Sequence, residues 1–178
     1  MEGTNQTFAR CRNFKQIDYI VAYRRNDQGQ LGIGDDVNRN TPTQLRNFGF
    51  VSVVSCGQYH SVALTSLGRI FTWGSNQHGQ LGLDSTDALP TGNQRVWLPQ
   101  EVKLEEIFFV DVSAGGYHTL ALTDSGQLYV FGRNDDGQLG LGDLHTRRAP
   151  TRMPSAIRFV SIAACLRYSL VLALALRE

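Results

Sequence analysis

The sequence predicts an all-β chain assembled from a short repeat, and three observations carry that prediction. The tetrapeptide Gly-Gln-Leu-Gly begins at Gly29, at Gly79 and at Gly137, so the spacings are 50 and 58 residues. A nine-residue segment, Gly57-Gln58-Tyr59-His60-Ser61-Val62-Ala63-Leu64-Thr65, returns as Gly115-Gly116-Tyr117-His118-Thr119-Leu120-Ala121-Leu122-Thr123. A worn third copy follows at Cys165-Leu166-Arg167-Tyr168-Ser169-Leu170-Val171-Leu172. His60 precedes Gly79 by 19 residues and His118 precedes Gly137 by the same 19, so the two motifs are locked in phase. Glycine is the third sign: 18 of 178 residues, about 10% against roughly 7% on average, with only 5 prolines. A chain that turns this often, among many apolar residues, builds short strands rather than long helices.

Residues 1–16 match nothing in the repeat and read as a separate N-terminal segment. The repeats occupy residues 17–178, in units of about 17–67, 68–125 and 126–178. Tyr19-Ile20-Val21-Ala22-Tyr23 aligns with Arg69-Ile70-Phe71-Thr72-Trp73 and reads as a late strand of a blade whose earlier strands are missing. On that alignment Arg10 and Cys11 stand where His60 and Ser61 stand one unit later. Val51-Ser52-Val53-Val54-Ser55-Cys56 is β-branched and bounded by Gly57, which marks a strand. His60 to Thr65 and Arg69 to Trp73 are two more, joined by a hairpin turn at Ser66-Leu67-Gly68. Segments containing Pro42, Pro99 and Pro150 supply a fourth, outer strand. The middle unit is longer by eight residues, all placed in a loop within residues 84–99. Three or four short antiparallel strands per unit of about 50 residues describe a propeller blade. The expected architecture is a partial β-propeller of about three four-stranded blades, an open arc or part of a larger ring.

The combined pattern Gly-x-Tyr-His-Ser/Thr-x-Ala-Leu-Thr, Gly-x-Leu/Ile-Tyr/Phe-x-Trp/Phe-Gly and Asn-x-x-Gly-Gln-Leu-Gly-Leu resembles the regulator of chromosome condensation repeat family. The likeness covers nearly the whole chain, from Ile17 to Leu176. It implies a seven-bladed propeller, hence a ring more than twice as long as this chain. It also implies two functions to weigh: a non-catalytic protein-interaction module with a regulatory or scaffold role, or a guanine nucleotide exchange factor for a Ran-like small GTPase. Three units are too few to assemble an exchange surface drawn from many blades, so the interaction module is preferred. The chain reads as a truncated piece of a longer ring. The competing expectation is head-to-tail self-association through open edge strands, with residues 17–23 of one copy on residues 168–176 of another.

Composition bounds the remaining classes. With 17 basic against 16 acidic residues the formal charge is +1, which gives no footprint for nucleic acid or chromatin. Three cysteines, Cys11, Cys56 and Cys165, make no disulfide framework and point to an intracellular setting, cytoplasmic or nuclear. Seven consecutive apolar residues, the longest run, are far short of the roughly 20 that span a bilayer. His60 and His118 share one phase, as do Asn26, Asn76 and Asn134, and equal phase assigns them to structure rather than to metal binding. Tyr168 is expected to replace the histidine in the third copy, and Cys56 and Cys165 to fill small packed positions. Gly32-Ile33-Gly34 lacks the third glycine and helix of a dinucleotide fingerprint, and Asn134-Asp135-Asp136 lacks the spacing of a calcium loop. No nucleophile–base pair stands out, so no enzyme and no cofactor are expected. The candidate partner-binding loop is the insertion, with Asp84, Asp87, Arg95 and Trp97, since Trp and Arg are enriched at interface hot spots. A protein partner is expected, with a small GTPase among the candidates, and no membrane.

Overall fold

The computed structural model describes residues 6–11, 19–45, 49–83 and 94–172, and every regular element among them is a β-strand. Thirteen strands among these described residues form four antiparallel sheets in chain order. β1 (Gln6–Cys11), β2 (Tyr19–Arg24) and β3 (Arg39–Leu45) make the first, and β4 (Val51–Cys56), β5 (His60–Thr65), β6 (Ile70–Ser75) and β7 (Arg95–Glu101) the second. β8 (Phe109–Ala114), β9 (His118–Thr123), β10 (Leu128–Gly132) and β11 (Arg147–Arg152) make the third, and β12 (Ser161–Ala164) with β13 (Ser169–Leu172) the fourth. β4 packs against β8, and β8 against β12, so the first strands of successive sheets converge as the inner strands of propeller blades.

The repeated residues explain why each blade folds alike. The second strand is the driest: all six residues of β5 and of β9 are buried. The turn to the third strand closes on Gly68, whose φ of 71° suits glycine. A Cβ there would also lie 2.5 Å from the Phe108 ring of the next blade. The pairing of the outer edge strand with the strand before it shifts register at one place in each of the first three sheets, between Ala22 and Arg24, Thr72 and Gly74, and Val130 and Gly132. Opposite this bulge lie Pro42, Pro99 and Pro150, each on the outer edge strand of its sheet. A proline there lacks only a ladder hydrogen bond that the bulge has already removed.

The sequence repeat and the blade are out of step. The unit 68–125 contains β6 and β7 of one sheet and β8 and β9 of the next, so every unit covalently joins two blades.

The N-terminal segment corrects the sequence expectation. Gln6–Cys11 is a strand of the first sheet, paired from Gln6 opposite Arg24 to Cys11 opposite Tyr19. Since Thr7 opposes Tyr23 as Ser61 opposes Trp73, Gln6 and Thr7 take the places of His60 and Ser61, not Arg10 and Cys11. The hairpin is four residues longer here, and this hides the motif from a fixed-period alignment. Once shifted, Gly3-Thr4-Asn5-Gln6-Thr7-Phe8-Ala9 follows the same pattern as Gly57 to Ala63.

Candidate interaction face

Each blade junction is built on the Gly-Gln-Leu-Gly turn. In the three turns Asn26, Asn76 and Asn134 accept from the amides of Leu31, Leu81 and Leu139 at 2.9, 3.0 and 2.9 Å. Gln30, Gln80 and Gln138 accept from the amides of Gln28, His78 and Asp136 in the same way. The carbonyl of the turn's glutamine then faces the next blade. Gln30 O accepts Ser61 Oγ–H at 2.7 Å and the Trp73 indole N–H at 2.9 Å, and Gln80 O accepts Thr119 Oγ1–H at 2.8 Å. Trp73 lies over Gly32 and Phe131 over Gly82, both rings fully buried. Phe131 has no N–H to give, so among the described residues Gln80 O accepts from the Thr119 hydroxyl alone.

The two motif histidines complete these junctions. His60 Nε2 lies 2.9 Å from Thr119 Oγ1, and His118 Nε2 lies 2.8 Å from Ser169 Oγ. Thr119 spends its proton on Gln80 O, so His60 carries its own on Nε2. Burial holds both imidazoles neutral, pushing His60 down to about 3 and His118 to about 4. Tyr168 does not continue the series: it is 72% exposed, and Ser169 beside it receives His118. Cys165 is exposed rather than packed, while the half-buried Cys56 thiol is pushed up to about 12 by desolvation and is inert.

The residue before each histidine points elsewhere. Tyr59 and Tyr117 emerge where the loops after the first strand meet the loops after the third, through the Ser75 and Arg133 amides that bond Tyr59 O and Tyr117 O at 2.8 and 2.9 Å. Their rings are 5.7 Å apart at 41°, and His78 stands edge-on to Tyr117 at 5.2 Å. Arg25 lies over Tyr59 at 5.3 Å and Arg133 over Tyr117 at 6.0 Å, distances that suit a cation above a ring face. Asp27 holds Arg25 by two 2.6 Å hydrogen bonds, which keep its own carboxyl below the ordinary range, and Asp135 holds Arg133 at 2.8 Å. Burial, then Arg133, lowers the proton affinity of His78. The result is a partly exposed, pre-set row of aromatic rings and guanidinium groups across two blade junctions.

The sequence-predicted site residues are dispersed. Asp84 and Asp87 lie outside the described residues. Arg95 and Trp97 are in β7, not in a loop. Trp97 is half-buried, stacked where a Cβ on Gly29 would come within 2.6 Å of it, and its carbonyl accepts from Gly34 N at 3.0 Å. Arg148 takes the same place over Gly79 one blade later. Arg95 pairs with Ser75 and so borders the tyrosine row. Sequence reading passed over Tyr59 and Tyr117, although their position next to a buried strand residue was the available signal.

Comparison with known proteins now decides the family. The family model described as the regulator of chromosome condensation (RCC1) repeat matches residues 25–64, 68–122 and 125–172, and a second RCC1 repeat model matches 51–80 and 109–138. The chain belongs to the regulator of chromosome condensation (RCC1) repeat family. Among relatives, the probable E3 ubiquitin-protein ligase HERC6 of Homo sapiens is 32% identical over 160 residues, covering 87% of this chain and 15% of that protein. The probable E3 ubiquitin-protein ligase HERC3 of Homo sapiens is 45% identical over 97 residues, covering 54% and 9%. The crystal structure of Prp20p from Saccharomyces cerevisiae, described with its binding to Gsp1p and histones, matches at a TM-score of 0.86 with 23% identity, over 99% of this chain and 43% of that one. Kap60 bound to yeast RCC1 (Prp20) matches at 0.73 with 25% identity, over 87% and 37%. The RCC1 fold confirms the propeller and the repeat. The expectation that the chain belongs to no enzyme is corrected: the relatives are named ubiquitin ligases, although what they share with this chain is its RCC1 repeats. The chain spans only a small part of those relatives.

Proposed function

We propose that these RCC1 blades act as a protein-interaction module whose docking face is the tyrosine–arginine row. The single observation that carries this reading is the packing of Tyr59, Tyr117 and His78 beneath Arg25 and Arg133 at the mouth of two blade junctions. Tyr and Arg dominate interface hot spots because they offer large, stiff contact area with polar ends. Here their side chains are already held by ion pairs and ring contacts, so docking costs little conformational entropy. The module's role in a longer protein is regulatory or scaffolding, presenting a partner to whatever the rest of that protein does. The free thiols of Cys56 and Cys165 fit an intracellular setting.

The test is partner retention. A protein retained by the wild-type chain is lost on combined Tyr59→Ala and Tyr117→Ala substitution and kept on Leu67→Ala, which lies at the opposite ends of the strands. Equal retention by all three rejects the proposed face.

A small GTPase is the specific partner class that the family resemblance names. Release of labelled GDP from candidate GTPases, with and without the chain, tests it. Acceleration supports exchange activity, and its absence at micromolar protein removes that reading.

A further inference from the structure

The protein-interaction reading leaves the chemistry of the partner open, and the charges around the tyrosine row narrow it. Arg25 and Arg133 are satisfied by Asp27 and by Asp135 with Asp136. Three other arginines border the row. Arg148 approaches Gln77 O at 3.2 Å and lies near enough to His78 to lower its proton affinity. Arg167 stands at the phase of Tyr59 and Tyr117 in the fourth sheet and acts on the Tyr117 hydroxyl. Arg95 flanks Ser75. Among the described residues none of these three has a carboxylate partner, and Arg148 and Arg167 are exposed.

We infer that the face docks a protein segment carrying carboxylates, Asp or Glu, next to an apolar side chain. The apolar group covers Tyr59, Tyr117 and His78, and the carboxylates pair with the guanidinium groups of Arg95, Arg148 and Arg167. A guanidinium fork matches a carboxylate with two parallel hydrogen bonds. Nucleic acid is the competing anion, and two features weigh against it. Asp27, Asp135 and Asp136 stand among the arginines and repel a continuous phosphate backbone. Arg25 and Arg133 each sit over one face of a tyrosine, so the row offers no continuous platform for successive bases to stack on. On the opposite face Arg69 is matched by Glu101 beside the exposed Leu67 and Phe108.

This inference rests on the interaction reading, and its test separates the two. Random peptides displayed on phage are selected against the folded chain, with a single-stranded DNA oligonucleotide measured alongside. The expected result is enrichment of Asp and Glu beside Leu or an aromatic, with affinity that falls as salt rises. Paired Arg148→Glu and Arg167→Glu substitution weakens the selected peptide at least about tenfold, while Arg158→Glu on the opposite face leaves it unchanged. Arg95→Glu with Arg167→Glu serves as a second pair, since Arg148 also packs on Gly79, and unchanged thermal melting certifies the fold of each. Selected peptides without acidic enrichment, or insensitive to both charge reversals, overturn the inference. So does tighter binding of the oligonucleotide than of any peptide. If neutral peptides emerge that still require Tyr59 and Tyr117, the docking face stands and only its acidic preference falls.

Discussion

His60 of the second blade and Thr119 of the third share a 2.9 Å hydrogen bond across a fully buried junction, and Thr119 passes its own proton 2.8 Å on to the carbonyl of Gln80. One hydroxyl thus joins a strand of one blade, a strand of the next and the turn that caps the first. Thr119→Val keeps the shape and removes both bonds, one of them from a carbonyl that, among the described residues, has no second donor such as Trp73 supplies to Gln30. The expected loss is roughly 1–3 kcal/mol in urea unfolding, while Thr119→Ser stays near wild type. A loss below the noise for valine would show the junction to be held by packing alone.

The buried histidines set an acid limit. Their protons bind the unfolded chain near pH 6.5 but the folded chain only near 3 for His60 and 4 for His118. Between those values the unfolded state binds more protons, so stability is complete above pH 6.5 and falls as the pH drops through 5. Each histidine contributes up to about 1.4 kcal/mol per pH unit in that window. His118→Gln, which copies Gln6 at the same place in the first sheet, should flatten the decline. Urea midpoints at pH 7 and pH 5 for both proteins measure it, and equal slopes would assign the acid sensitivity to other groups.

Equivalent glycines in the same tetrapeptide differ in what surrounds them. At Gly79 a Cβ would meet the Arg148 backbone at 2.5 Å, whereas at Gly137 it would meet only Leu144 at 3.7 Å. Both have φ near 73°, so alanine is strained at either. Gly79→Ala adds a backbone clash between blades and should cost more than Gly137→Ala by at least about 1 kcal/mol. Thermal melting of the two variants compares them directly.

Arg24 has φ of 92° at the bulge position that Gly74 and Gly132 occupy in the next two blades, at 102° and 109°. Arg24→Gly relieves that strain but adds freedom to the unfolded chain, and the balance should favour the variant by about 1 kcal/mol. A lower melting temperature would mean that the arginine side chain makes contacts worth more than the strain.

The strands of the two complete blades were legible because their motifs repeat at fixed phase, and the prolines of the outer strands marked edges correctly. β1 was missed because four added hairpin residues moved Gln6 and Thr7 out of that phase. Trp97 was read as a loop residue because an insertion of eight residues conceals where the loop ends and β7 begins. Tyr59 and Tyr117 were overlooked for a different reason. They sit inside a motif whose histidine and hydroxyl are structural, and alternation along the chain, which turns neighbours to opposite surroundings, was not applied within it.

The proposed docking through the Tyr59–Tyr117 face underlies the partner reading. Hydrogen–deuterium exchange of the chain with and without a selected ligand tests it most directly. The expected result is slowed exchange in the loops holding Gln58, Tyr59, His78, Tyr117 and Arg133, with no change around Leu67 and Phe108. Protection confined to Leu67, Phe108 and Ile157, at the other end of the strands, would contradict it.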